Sequence, residues 1–313
     1  VIVKPSLATP LSCLDYVRIL REAGWPEDRC RVLLASNDDA EALVTDPRVA
    51  FFSFIGSARV GWSLRSKLAA GTRCALEHGG VAPVIVAEDA DLELAAQAIT
   101  KGGFYHAGQV CVSVQRVFVV GTVADQLAEK LVAAASKLKT GDPAHPETDV
   151  GPLIAEREVQ RVGTWVDAAR EAGAALLCGG EPVGTTCYAP TILLDPPDSS
   201  EIARQEVFGP VIALFRCASL GDAIARANAV EASFQAAVFA RDLDTALEVS
   251  DRLNGSAVMV NDHTAFRVDW MPFAGLGPSG LGTGGIPGTL DDMTIEKMTV
   301  IRRQTPAALS ATP

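Results

Sequence analysis

The chain has 313 residues, 48% of them hydrophobic and 21% charged, and 27 Lys and Arg against 38 Asp and Glu leave a net charge of −11. That length and apolar content predict a globular chain of about two domains, and the acidic balance excludes nucleic acid or an anionic membrane as the main partner. No apolar run nears the ~20 residues of a membrane helix, no signal-type leader opens the chain, and seven Cys without a Cys-x-x-Cys spacing suggest neither a disulfide framework nor a zinc site, so a reducing cytoplasm is the expected setting.

In chain order, Val1-Ile2-Val3 reads as a buried strand that starts without an initiator Met, so an upstream portion is expected. Leu11, Leu14, Val17, Ile19 and Leu20 give helical spacing over 10–23, stopped at Gly24-Trp25-Pro26. A strand at 31–35, a short helix at 40–44, a strand at 49–55, a helix at 57–69 and strands at 74–77 and 84–86 follow. This is the alternation of a parallel sheet covered on both faces, hence an α/β fold. Helices are predicted at 92–105, 123–138, 156–172, 221–228 and 244–252, and strands at 116–120, 191–194, 211–215 and 258–261. The glycine-rich stretch 275–288 reads as a loop, residues 294–303 as a strand, and 305–313 as a disordered tail.

Cys111 stands out among the seven cysteines because it follows Gly108 at a helix-to-strand turn, where backbone approaches a ligand closely. The competing reading is a small core filler. Glu77 ends an apolar strand before Gly79-Gly80, where a buried carboxylate serves as a general base; taken alone it reads rather as an ordinary strand-end carboxylate capping a helix. Gly56-Ser57 lies between a strand and a helix, and backbone N–H groups there hold a phosphate, although a single strand-turn-helix is a weak dinucleotide signal. Lys4, at a strand end, either meets a ribose hydroxyl or is simply solvated. His78 beside Glu77 reads as packing, and His106 as a cation on the last turn of its helix. Asn261-Asp262-His263 reads as a loop-shaping element on the substrate side, and Phe266 and Trp270 as tunnel or core.

The order of Lys4-Pro5, Phe54-Ile55-Gly56-Ser57, Leu76-Glu77-His78-Gly79-Gly80, Gly108-Gln109-Val110-Cys111, Glu206-Val207-Phe208-Gly209-Pro210 and Pro272-Phe273-Ala274-Gly275 resembles the aldehyde dehydrogenase superfamily over nearly the whole chain. The resemblance implies a partial parallel-sheet cofactor domain at 1–79, an α/β catalytic domain at 80–275 and a return loop with an oligomerisation strand and tail at 276–313. It implies Cys111 as the thiolate and Glu77 as the base that hydrolyses a thioester. It places Lys4, Gly56, Ser57, Glu206 and Phe208 on NAD or NADP, and Phe273 beside the substrate tunnel. It implies a small-molecule aldehyde as substrate and a homodimer or homotetramer as the parent assembly. An N-terminal portion carrying a further oxyanion donor, an Asn, is expected outside this sequence. Leu7 stands where NAD-preferring members often have Glu, which leaves both cofactors open. Alternatives from other classes are a coenzyme A-acylating dehydrogenase, against which Glu77 speaks, a cofactor-free thiol esterase, and a catalytically impaired fragment or interaction module.

Overall fold

A computed structural model of the chain describes residues 1–303. Its N-terminal part holds β1 (Ile2–Val3), α1 (Leu11–Glu22), β2 (Arg31–Val32), α2 (Asn37–Val44), β3 (Phe51–Ile55), α3 (Ala58–Arg65) and β4 (Arg73–Glu77). Helix α2 begins where Ser36 accepts a hydrogen bond from the Asp39 N–H, an N-cap that sets its start three residues earlier than its apolar residues suggest. Strands β1 and β2 pair in parallel, as do β3 and β4. They form separate sheets, so the one parallel sheet expected here is divided: among the described residues no strand bridges β2 and β3.

The larger part contains β5 (Pro83–Val86), α4 (Leu92–Phe104), β6 (Arg116–Val120), α5 (Ala124–Ala135), α6 (Glu156–Glu171), β7 (Ala175–Cys178), β8 (Pro182–Val183), β9 (Cys187–Tyr188), β10 (Thr191–Leu194), α7 (Glu201–Arg204), β11 (Val211–Cys217), α8 (Leu220–Ala227), β12 (Gln235–Phe239), α9 (Leu243–Arg252) and β13 (Ala257–Val260). Seven of these strands form one sheet in the order β13-β12-β5-β6-β11-β10-β7. Every pairing is parallel except that of β7 with β10. Right-handed crossovers then put α4 on one face and, because the chain reverses direction across the sheet after β11, α8 and α9 on the other. Both faces are therefore dry, and every residue of β5 and β12 is buried. Arg116 is the charged exception in this core: its guanidinium donates to the Val81, Arg226 and Ala227 carbonyls and so closes the carboxyl end of α8.

The chain then returns to the small sheet. β14 (Gly280–Leu281) pairs antiparallel with β4, and α10 (Ile286–Met293) follows. The stretch read as a glycine-rich loop thus contains a bridge and the start of a helix, because its glycines accommodate close backbone approaches rather than mere irregularity. The strand expected at 294–303 is not formed. Ile295, Met298, Val300 and Ile301 are each more than four-fifths exposed, and a strand without a neighbour has nowhere to place its N–H and C=O groups. The disordered tail expected at 305–313 lies outside the described residues. No helix among the described residues is long and apolar enough to cross a membrane.

Candidate active site

The segments that enter the large sheet do so along one edge, and they carry most of the candidate residues. Gly79-Gly80 leads into β5, Cys111 into β6, Glu206 and Phe208 into β11, and Phe234 into β12. Facing them are the carboxyl ends of the small-sheet strands, which carry Glu77 at the end of β4 and Gly56-Ser57 just after β3. The site is therefore a seam between the amino edge of one sheet and the carboxyl edge of another.

Cys111 is presented by strained backbone. After α4 ends, His106 and Ala107 adopt left-handed conformations (φ 50° and 54°), and Gly108 follows at φ 70°. Three left-handed residues in succession persist only where surroundings hold them. Gln109 supplies part of that hold, donating to the Pro152 carbonyl at 3.1 Å and accepting from the Ile154 N–H at 2.9 Å. Only glycine fits at 108, since a Cβ there would strike the Gly209 carbonyl in addition to the backbone penalty. A turn from the Val110 carbonyl to the Ser113 N–H (2.9 Å) then encloses Cys111, and Ser113 Oγ donates back to the Gly102 carbonyl. His106, expected on the last turn of the helix, instead lies just beyond it, exposed.

Glu206 is positioned by a side chain that sequence reasoning passed over. Gln115 donates to the carbonyls of Ile202 (3.0 Å) and Gln205 (2.6 Å) and accepts from the Val207 N–H (2.9 Å), clamping the segment on either side of Glu206. Arg161 adds a bond to the Val207 carbonyl at 2.7 Å. The Glu206 carboxylate rests on Gly79, where a Cβ would collide with it. Burial pushes its carboxyl up to about 7, against the pull of Arg161 and the Gly80 N–H. Oε1 is buried without a hydrogen-bond partner among the described residues.

The electrostatics tie three groups together. Burial pushes the Cys111 thiol up to about 11, with the carboxylates of Glu206 and Glu77 adding to the rise, while its own backbone N–H and Arg267 oppose it. Burial also raises the Glu77 carboxyl, again opposed by Arg267. Glu77 lies against Gly284 of the return segment. An apolar wall flanks the thiol: Phe273 and Phe234 pack at 4.6 Å between centroids, with Val112 and the partly buried Cys111, Val110 and Ala265 around them. Phe273 thus belongs to the apolar wall beside Cys111.

On the cofactor side, Ser57 is the N-cap residue of α3 but its hydroxyl makes no cap bond, leaving both it and the first N–H groups of the helix available. Lys4 follows β1 and so stands on a different sheet from Gly56 and Ser57. Phe208 is half-exposed at φ 47°. A free helix start and a buried, unpartnered carboxylate oxygen match a phosphate and a ribose hydroxyl respectively, so the residues present fit a dinucleotide.

Several further readings are decided. His78 is buried, its Nδ1 bonded to the Gly56 carbonyl at 2.8 Å and its ring edge-on to Phe54 and Trp62, so it packs and braces the Gly56 turn. Asn261 pairs with both backbone groups of Ala240, and Thr264 Oγ1 donates to the Val112 carbonyl, so the loop that carries Asn261-Asp262-His263 is held to β12 and to the turn that encloses Cys111. Phe266 and Trp270 are exposed and belong to no core. Arg267 was missed: nothing in its local pattern marks it, and only the fold brings it to the site.

Residues 1–299 match the aldehyde dehydrogenase family. The chain is 38% identical over 303 residues to a 3-sulfolactaldehyde dehydrogenase of Priestia aryabhattai, covering 96% of this chain and 63% of that protein. It is 39% identical over 282 residues to a betaine aldehyde dehydrogenase of Cereibacter sphaeroides, covering 89% and 58%. Among solved structures, a glyceraldehyde-3-phosphate dehydrogenase from Methanocaldococcus jannaschii in complex with NADP superposes with a TM-score of 0.88 at 35% identity, covering 93% of this chain and 64% of that one. The chain thus spans less than two thirds of the length of these relatives. A match that runs without interruption from β1 past α10 leaves no described element outside it, and the chain belongs to the aldehyde dehydrogenase family.

Proposed function

We propose that this chain carries the catalytic thiol, the general base and part of the dinucleotide site of an NAD(P)-dependent dehydrogenase that converts an aldehyde to a carboxylic acid. The observation that carries the reading is the convergence of Cys111, Glu77 and Glu206: both carboxylates act on the thiol, Glu206 from the same sheet edge and Glu77 from across the seam. Cys111 Sγ adds to the aldehyde carbon, and the Cys111 backbone N–H, already directed toward this sulfur, meets the oxyanion. Lys4, Gly56, Ser57, Glu206 and Phe208 would hold NAD or NADP, which would supply the hydride acceptor. The acyl group left on Sγ is released when Glu77 takes a proton from water, a role suited to a carboxyl raised by burial.

The reading extends to organisation. Residues 1–79 serve the cofactor, 80–275 the chemistry, and 276–313 return to complete the base-bearing sheet. The working assembly is a cytoplasmic homodimer or homotetramer, for which the exposed apolar residues from 295 to 301 speak. The substrates in the relatives' names include an anionic aldehyde, 3-sulfolactaldehyde, and a cationic one, betaine aldehyde, so kinship alone does not choose the charge.

The test is formation of NADH or NADPH with a panel of small aldehydes, with and without Cys111→Ala. Reduction lost in Cys111→Ala, with free acid as product, supports the proposal. Acyl-coenzyme A as product would make it an acyltransferring relative. Ester hydrolysis persisting without nicotinamide would favour the esterase, and no reduction with any aldehyde would favour the inert module.

A further inference from the structure

Arg267 lies beyond β13 in the loop that returns toward the nucleophile. Its guanidinium carbon stands 4.0 Å over the centre of the Phe273 ring, in the apolar wall beside Cys111. A guanidinium held over a ring by cation–π attraction does not spend its hydrogen-bond donors on classical acceptors there. Among the described residues Arg267 donates no side-chain hydrogen bond and forms no ion pair, although Arg is the side chain most suited to a bidentate grip on a planar anion. It is exposed, so the edge is reachable from solvent. Its charge also acts on both Cys111 and Glu77.

The surroundings make this cation matter. Glu77 and Glu206 face the thiol, and an anionic substrate meets repulsion from both unless a positive group receives it. Arg161, the cation acting on Glu206, is spent on Glu158 and the Val207 carbonyl. Among the described residues, Arg267 is the cation that acts on the thiol, and its donors are uncommitted.

We propose that Arg267 is a specificity-determining residue that binds an anionic substituent, a carboxylate, sulfonate or phosphate, carried by the aldehyde. This rests on the reading of Cys111 as the thiol that meets the aldehyde. The aldehyde's body lies along Phe273, its carbonyl at Cys111, and its charged end on the Arg267 guanidinium.

Two measurements test it. In the first, alkylation of Cys111 by iodoacetate and by iodoacetamide is followed by peptide mass spectrometry in the parent chain, Arg267→Gln and Arg267→Lys. The ratio of the two rates cancels any change in the thiol's own ionisation, because both reagents attack the same thiolate. The proposal expects the iodoacetate-to-iodoacetamide ratio to fall about tenfold in Arg267→Gln, the scale of one charge-assisted contact, and to be partly kept in Arg267→Lys. In the second, kcat/KM for 4-oxobutanoate relative to butanal is expected to fall by at least about tenfold in Arg267→Gln. A ratio unmoved by Arg267→Gln in either measurement overturns the assignment, as does a parent preference for a trimethylammonium aldehyde over both. If no aldehyde is oxidised, the functional proposal fails, and the alkylation ratio still decides the role of Arg267.

Discussion

At the scale of single residues, the two buried acids and the thiol have opposed requirements. Cys111 with its thiol near 11 is held protonated at neutral pH in the free chain, so its alkylation by iodoacetamide should be slow at pH 7 and keep rising toward pH 11. Glu206→Gln removes the larger of the two carboxylate contributions and should shift that rise to lower pH; an unchanged profile would refute the electrostatic link. Glu206 also affects stability. Its folded-state pKa is raised, so its contribution is full below the ordinary carboxyl range and is lost as pH rises through about 7. Glu206→Gln should therefore gain melting temperature relative to the parent on going from pH 5 to pH 8. Cys111 and Glu77 could be proposed from the sequence because each stands near glycine at a strand boundary. Gln115 and Arg267 were not, because a clamp across 92 residues and a stack on Phe273 leave no local trace.

At the scale of elements, the turn that holds Cys111 depends on backbone that few residues tolerate. Gly108→Ala meets both a positive φ and the Gly209 carbonyl, and we expect a loss of about 2–4 kcal/mol in chemical denaturation. Gln115→Ala leaves the Val207 N–H and two carbonyls without this partner and should cost about 2–3 kcal/mol. Regular elements with strong apolar runs, such as β5, β6, α4 and α5, were readable from their period. β12 escaped because it opens with Gln235, a polar residue buried inside the sheet. The strand at 294–303 was over-read because alternation specifies a face, while a strand also needs a neighbour.

At the scale of the molecule, packing is uneven. The seven-stranded sheet is buried throughout its centre, whereas α1 buries only Val17 and leaves Leu11, Tyr16 and Ile19 more than half exposed. Hydrogen exchange should accordingly show residues 1–50 opening far more readily than 83–260, and protection of α1 equal to that of β5 would contradict this. The overall α/β class followed from the alternation of periods, but the division into two small sheets and the seam between opposed sheet edges required the tertiary fold. That seam gives the Gln115 clamp a wider meaning. Cys111 and Glu206 are both referenced to the same end of β6, so a displacement of that strand is common to the two and cancels between them. Glu77 rides on β4, between β3 and β14, and has no such shared reference. Sliding of one sheet edge past the other therefore leaves Cys111 and Glu206 in register while it shifts Glu77, and under the proposed function the Glu77-dependent release of the acyl group is expected to be the step most sensitive to how the two sheets sit.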